Sequence, residues 1–206
     1  MKKLVAAATV AVLSTPAAAI TQDEPTYAPP PAVPEQIAQA LAAAPAERAD
    51  GATVLGYDEA GRVRTIRAGT NDLICLADDP SQEGFSAACY HESLEPYMAR
   101  GRELREEGVT GMPRMTVRWE EAEAGRLAMP EAPATLYIVS GDSFDAGTRT
   151  VANRAERWVV YSPYATAEGT GLSTTPSTSG APWLMFPGTA GAHIMISPPQ
   201  EQPSGP

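Results

Sequence analysis

The amino-acid sequence predicts an α+β domain: a largely antiparallel sheet with one principal helix packed on it, plus a short N-terminal helix. Three observations carry this. The apolar runs "TLYIVS", "RWVVYS", "PWLMF" and "AHIMIS" are short and bounded by Gly, Pro and Ser, which suits strands of one sheet. In "TVLGYDEAGRVRTIRAG" two β-rich runs flank Asp58-Glu59-Ala60-Gly61, the pattern of a hairpin. One amphipathic stretch, "SLEPYMARGRELREEG", places Leu94, Tyr97, Met98, Gly101 and Leu104 on a single helical stripe.

Taken in chain order, Met1-Lys2-Lys3 is a basic start, Leu4 to Leu13 is an apolar run too short to span a bilayer, and small residues lead up to Ala19. Residues 1–19 therefore read as a signal peptide, and a secreted or periplasmic protein is expected. No later apolar stretch has membrane-helix length, so no integral membrane segment is expected after cleavage. Residues 20–34 form a proline-rich linker, 35–197 a single α+β domain and 198–206 a disordered tail.

Within the domain, "VPEQIAQALAAAPAE" carries Ile37, Ala40, Leu41 and Ala44 at helical spacing until Pro45 closes the run. The "YDxxGR" of the hairpin resembles sugar-binding shell repeats, but a single copy without a period is a turn. "NDLICLADDP" is a third strand and "FSAACYH" its return. Ser93 is placed to cap the principal helix, Pro96 sits in its first turn, and Gly108 ends it. On the other face Arg100, Arg102, Glu103, Arg105 and Glu106 read as a solvated surface. The segment from Thr166 to Ala181 lacks periodicity and reads as a long loop.

Charge narrows the function. The chain has 15 basic against 25 acidic residues, a formal net charge of −10. Lys2 and Lys3 are its only lysines, so the chain beyond the leader has 15 − 2 = 13 basic residues, all arginine, and a net charge of 13 − 25 = −12. Such a balance repels nucleic acid and anionic membrane surfaces, so no nucleic-acid partner is expected.

The two cysteines and two histidines are the natural places to look for chemistry. Cys75 and Cys89 in an exported chain are expected to form a disulfide, one that withdraws both sulfurs from reaction and pins the main helix to its sheet. A metal site built from Cys89, His91 and His193 is the rival, but it has no CxxC pair and no third ligand at recognisable spacing, so no metal is expected. No cofactor is expected either, since the sequence has no Walker loop, Rossmann fingerprint or HExxH. His91 lies just ahead of a helix start, where it could hold an anion or act as an acid, or simply cap the corner. His193 sits in an apolar strand, where it could be a general base facing a cleft or a hydrogen-bonded core residue.

"YIVSGDSFDAG" resembles the nucleophile block of GDSL-type hydrolases, with Ser143 in the nucleophile's place. No aspartate follows Asp145, so the family's closing Asp-x-x-His pair is missing and a turn is the better reading. More broadly, "NDLICLADDP", "ACYHESLEPYMARGRELREEG", "VVYSPYATAEGTGLST" and "GAPWLMFPGTAGAHIMI" resemble an uncharacterised family of exported bacterial proteins ending in a Gly-Thr-x-x-Ala-His-Ile-Met-Ile type segment. The resemblance carries no reaction. It implies that Gly188, Thr189, Ala192 and His193 form one unit, a fold signature or a binding site.

Two functions from different classes follow. One is an exported binding or interaction domain, taking a small ligand or a protein partner, with the Thr166–Ala181 loop near its recognition face. The other is a small hydrolase-like enzyme with His193 as base and His91 as acid or anion holder, which requires the two imidazoles to share one pocket.

Overall fold

A computed structural model of the chain describes residues 29–177 and 179–198. The expected signal peptide, most of the linker and nearly all of the tail lie outside the described residues. The domain begins with α1 (Val33–Leu41), followed by a hairpin of β1 (Thr53–Tyr57) and β2 (Val63–Arg67). Next come β3 (Leu73–Leu76) and β4 (Phe85–His91), then the helices α2 (Glu95–Glu106) and α3 (Gly111–Glu123). β5 (Ala134–Gly141), β6 (Ser143–Asp145), β7 (Thr150–Ala152) and β8 (Ala155–Tyr161) follow. A single helical turn, α4 (Ala167–Thr170), precedes β9 (Trp183–Met185) and β10 (His193–Ile196).

Eight strands form one sheet in the order β2-β1-β3-β4-β5-β8-β10-β9, while β6 and β7 make a separate small hairpin. Every pairing in the large sheet is antiparallel except β1 with β3. The fold is α+β, as the sequence predicts. The structure adds a second long helix, α3, which packs beside α2 on the same face.

Alternation along β4 sorts the core into two layers, because successive side chains point to opposite faces. Phe85, Ala87 and Cys89 join Val54, Cys75 and Ala40 of α1 on one face. Ala88 and Tyr90 join Leu94, Tyr97, Leu136, Val159 and Tyr161 on the other, under α2 and α3. The α1 face holds a buried polar clamp: the Gln36 amide accepts from Tyr57 N at 2.7 Å and donates to Tyr57 O at 3.2 Å. It thus extends the backbone ladder of β1 with a side chain, so the buried amide is satisfied.

Cys75 and Cys89 are directly opposite one another in the β3–β4 register, at disulfide distance, with Cα atoms 4.0 Å apart. The bond therefore joins neighbouring strands on the α1 face. It does not fasten α2, which lies across the sheet, and in this respect the structure corrects the expectation.

Candidate functional site

The strand-to-helix corner at His91 is a cap. After β4 the chain makes one 3-10 turn, Glu92–Leu94, and the His91 imidazole accepts from Ser93 N at 3.2 Å. Ser93, expected as the cap, instead places its hydroxyl 2.8 Å from the same His91 Nδ1. His91 Nε2 lies 3.3 Å from an Asp72 carboxylate oxygen, and Asp72 also pairs with Arg48. Asp72, His91 and Ser93 are thus in line, but one imidazole nitrogen is shared by the Ser93 backbone and hydroxyl, and Arg48 already answers the carboxylate. A hollow of about 590 Å³ beside them is lined by His91, Ser93 and the Met129–Thr135 stretch.

His193 is buried in β10, and its Nδ1–H donates to Gly191 O at 2.7 Å. Tyr161 and Phe186 lie against its ring, with centroids 4.9 and 5.8 Å away. Burial lowers its pKa below the ordinary imidazole value, an effect the Gly191 hydrogen bond only partly offsets. β5 and β8 separate β4 from β10, so the two histidine backbones stand roughly 14 Å apart at about 4.8 Å per strand. The side chains also take opposite faces: His91 follows the alternation of Cys89, whereas His193 packs on Tyr161 beneath α2. The structure does not bring the two imidazoles together.

Gly188 and Thr189 bind the β9–β10 connection to the segment after β8. Gly188 N donates to Ala165 O at 2.7 Å, Tyr164 N donates to Thr189 O at 2.8 Å, and Ser162 N donates to Ala192 O at 2.9 Å. Gly188 has φ +75°, a backbone state that other residues resist. These bonds of Gly188, Thr189 and Ala192 tie the connection to the segment after β8 and build the fold. Ser143 is exposed in β6, beyond the far end of β5, and Asp142 is held by the Asn153 amide at 2.6 Å. His193 aligns, through Tyr161, with Ala134 at the other end of β5, about 23 Å from Gly141 at about 3.3 Å per residue. No Ser143–His193 pair exists.

A different region is concave. A pocket of about 380 Å³ opens between the sheet and the α2–α3 pair, with Leu76, Ala88, Tyr90, Leu136 and Tyr161 on its floor. The hairpin contributes Tyr57, Gly61 and Val63, and the helices contribute Met98, Gly101 and Met115. Four arginines, Arg102, Arg105, Arg114 and Arg118, also line it, against the acids Asp79 and Glu106. Burial pushes the phenols of Tyr57, Tyr90 and Tyr161 up, so they stay neutral hydrogen-bond donors near pH 7.

The arginines divide into two kinds. Arg102 pairs with Glu95 at 2.5 Å and donates to the Tyr90 hydroxyl at 3.0 Å. Arg105 pairs with Asp79 and donates to the Ser81 hydroxyl at 2.7 Å. Arg118 is only 5 % exposed, and its bonds go to neutral acceptors: Tyr97 O at 3.2 Å, Arg114 O at 3.3 Å and Met115 Sδ at 2.8 Å. It also lies 4.1 Å above the Tyr97 ring. Arg114 Nε is buried with no hydrogen-bond partner among the described residues.

None of the residues that line this pocket is among the candidate site residues read from the sequence. Arg102 and Arg105, read as solvated, turn inward because they follow Met98 at helical spacing, i+4 and i+7. That spacing is the one signal that could have placed them. The described residues of the Thr166–Ala181 segment do not line the pocket; they form α4 and a bridge from Ser173 to Trp183. Among the described residues no three His, Cys, Asp or Glu side chains are grouped to hold a metal, and no helix is long and apolar enough to cross a membrane. No protein-family model, curated protein or solved structure matches this chain.

Proposed function

We propose that the chain is an exported binding domain whose ligand occupies the pocket between the sheet and the α2–α3 pair. The observation that carries the reading is the pocket's make-up. It is a concave apolar floor of about 380 Å³ with a few convergent polar groups, within the usual range of small-molecule sites. The cysteine pair at disulfide distance is in keeping with an oxidising compartment, as is the leader read in residues 1–19. Recognition moves from the Thr166–Ala181 loop to this pocket. The separation of His91 from His193 leaves the two-imidazole hydrolase without its shared cleft.

The test is thermal unfolding of the full chain with and without a ten-carbon amphiphile, decanol or decanoate. A ligand that binds only the folded state raises stability by about 2.7 kcal/mol at a hundredfold excess over its dissociation constant. A saturable rise is expected in the wild type and its loss in Ala88→Phe, which fills the floor with a side chain that strands accept. No rise with either amphiphile, or an undiminished rise in the variant, rejects the reading.

A further inference from the structure

We infer that the ligand is a monoanionic amphiphile, a carboxylate on an apolar body of roughly ten carbons, whose head is neutralised by Arg114 and Arg118. The inference rests on the pocket being a ligand site and adds the ligand's charge and size.

The charge follows from what the two guanidiniums lack. A buried cation is ordinarily paired, because burial without a counter-ion forfeits its hydration. Arg102 and Arg105 have Glu95 and Asp79. Arg118, 5 % exposed, has only two carbonyls, a thioether and an aromatic face. Arg114 has a buried Nε with no partner among the described residues. Four arginines against Asp79, Glu106 and the Glu95 that pairs with Arg102 leave an excess of 4 − 3 = 1 positive charge, in a chain whose formal net charge is −10. The excess is local, and an anion bound between the two unanswered guanidiniums would complete it. The pKa of Arg114 is lowered by its burial and by the charges of Arg118 and Arg105, a penalty that a bound anion would relieve.

The backbone is also shaped for this. A Cβ added at Gly101 of α2 would stand 2.9 Å from Arg118 Nη1, so the missing side chain is what lets the guanidinium lie against the helix. The head group is a carboxylate because guanidinium forks match its two oxygens, while Asp79 and Glu106 on the same wall disfavour a dianion. The body is apolar because Leu76, Leu136, Val63, Met98 and Met115 line the remaining wall. A volume of about 380 Å³ accommodates roughly a dozen non-hydrogen atoms, taking about 30 Å³ for each water-sized group.

Isothermal titration of the full chain with decanoate and with decanol at pH 7 separates the two readings. Decanoate is expected to bind at least about tenfold more tightly than decanol, the worth of one charge-assisted hydrogen bond. In Arg114→Gln that advantage should fall below about threefold, because the variant removes the less enclosed of the two cations. Equal affinities in the wild type overturn the anion and leave the pocket a site for neutral amphiphiles, and an advantage that survives in Arg114→Gln overturns the assignment of the head group to Arg114. If neither compound binds, the ligand-site reading fails with it.

Discussion

At the scale of single residues, His193 shows how burial decides between two chemistries that a sequence leaves open. A lone histidine in an apolar strand suits a base facing a cleft or a core residue with one satisfied nitrogen, and periodicity does not separate the two. Here Nδ1–H is committed to Gly191 O, and the ring is enclosed by Tyr161 and Phe186. Its pKa is lowered by burial, so on acidification the unfolded chain takes up this proton before the folded one. The histidine's contribution is therefore complete above the ordinary imidazole value of 6.5 and is lost as pH falls through it toward the lower folded value. His193→Phe keeps an aromatic ring but leaves the Gly191 carbonyl without its donor, which should cost about 1–3 kcal/mol at pH 7. Denaturant unfolding from pH 7.5 to 5 should show that cost shrinking on acidification. A gap that is constant or widens toward pH 5 excludes a folded histidine held neutral. Arg118 is the contrasting case: nothing in "MPRMTVRWEE" marks one arginine for the interior, because the Tyr97 ring and carbonyl that receive it there belong to another helix.

At the scale of elements, the eight strands of the large sheet, the β1–β2 hairpin, α1 and α2 were legible because each has its own local signal: alternation, turn residues or a 3.6-residue stripe. The stretch read as a turn at Ser143 is instead the strand β6, paired with β7. The hairpin turn is closed by Asp58, whose side chain accepts from the backbones of Ala60 and Arg62 at 3.0 Å. α3 was not legible. Pro113, Thr116 and Val117 dilute its helical preference, and its one fully buried residue is Arg118, so it lacks an apolar stripe. The parallel pairing of β1 with β3 was equally hidden, since sequence neighbours suggest antiparallel partners. The α2–α3 contact yields a test at Gly101. Alanine is normally the better helix residue by about 0.5–1 kcal/mol, but here its Cβ would press on the Arg118 guanidinium. Gly101→Ala is therefore expected to bring no gain in chemical-denaturation stability and to reduce the preference for decanoate over decanol. A variant that gains about 1 kcal/mol and keeps the preference would show that Gly101 is not what seats Arg118.

At the scale of the whole molecule, the sheet divides the cysteine-crossed core from the pocket proposed to bind a ligand. One face is closed by α1 over a core of small and apolar residues crossed by Cys75 and Cys89; the other carries the tyrosines, the two long helices and the pocket. The pocket draws on a small supply of cations: with no lysine beyond residue 3, every later side-chain cation that holds a permanent charge is an arginine, and four of the 13 line the pocket. The cysteine pair was legible from composition, but its face was not, because that depends on register. In the loop-closure account a bond spanning 14 positions contributes about 3 kcal/mol, most of it by restricting the unfolded chain. The double variant Cys75→Ala, Cys89→Ala should therefore lose about 3 kcal/mol in denaturant unfolding. Its decanoate affinity, measured well below the unfolding transition, should match the wild type, because the bond lies across the sheet from the arginines and restrains the unfolded state more than the pocket. A loss below about 1 kcal/mol would mean that β3 and β4 are already held together in the unfolded ensemble. A loss of affinity in the folded variant would mean that the two faces are mechanically coupled through the alternating side chains of β4, and that the sheet transmits strain from the face of the cysteine pair to the face of the pocket.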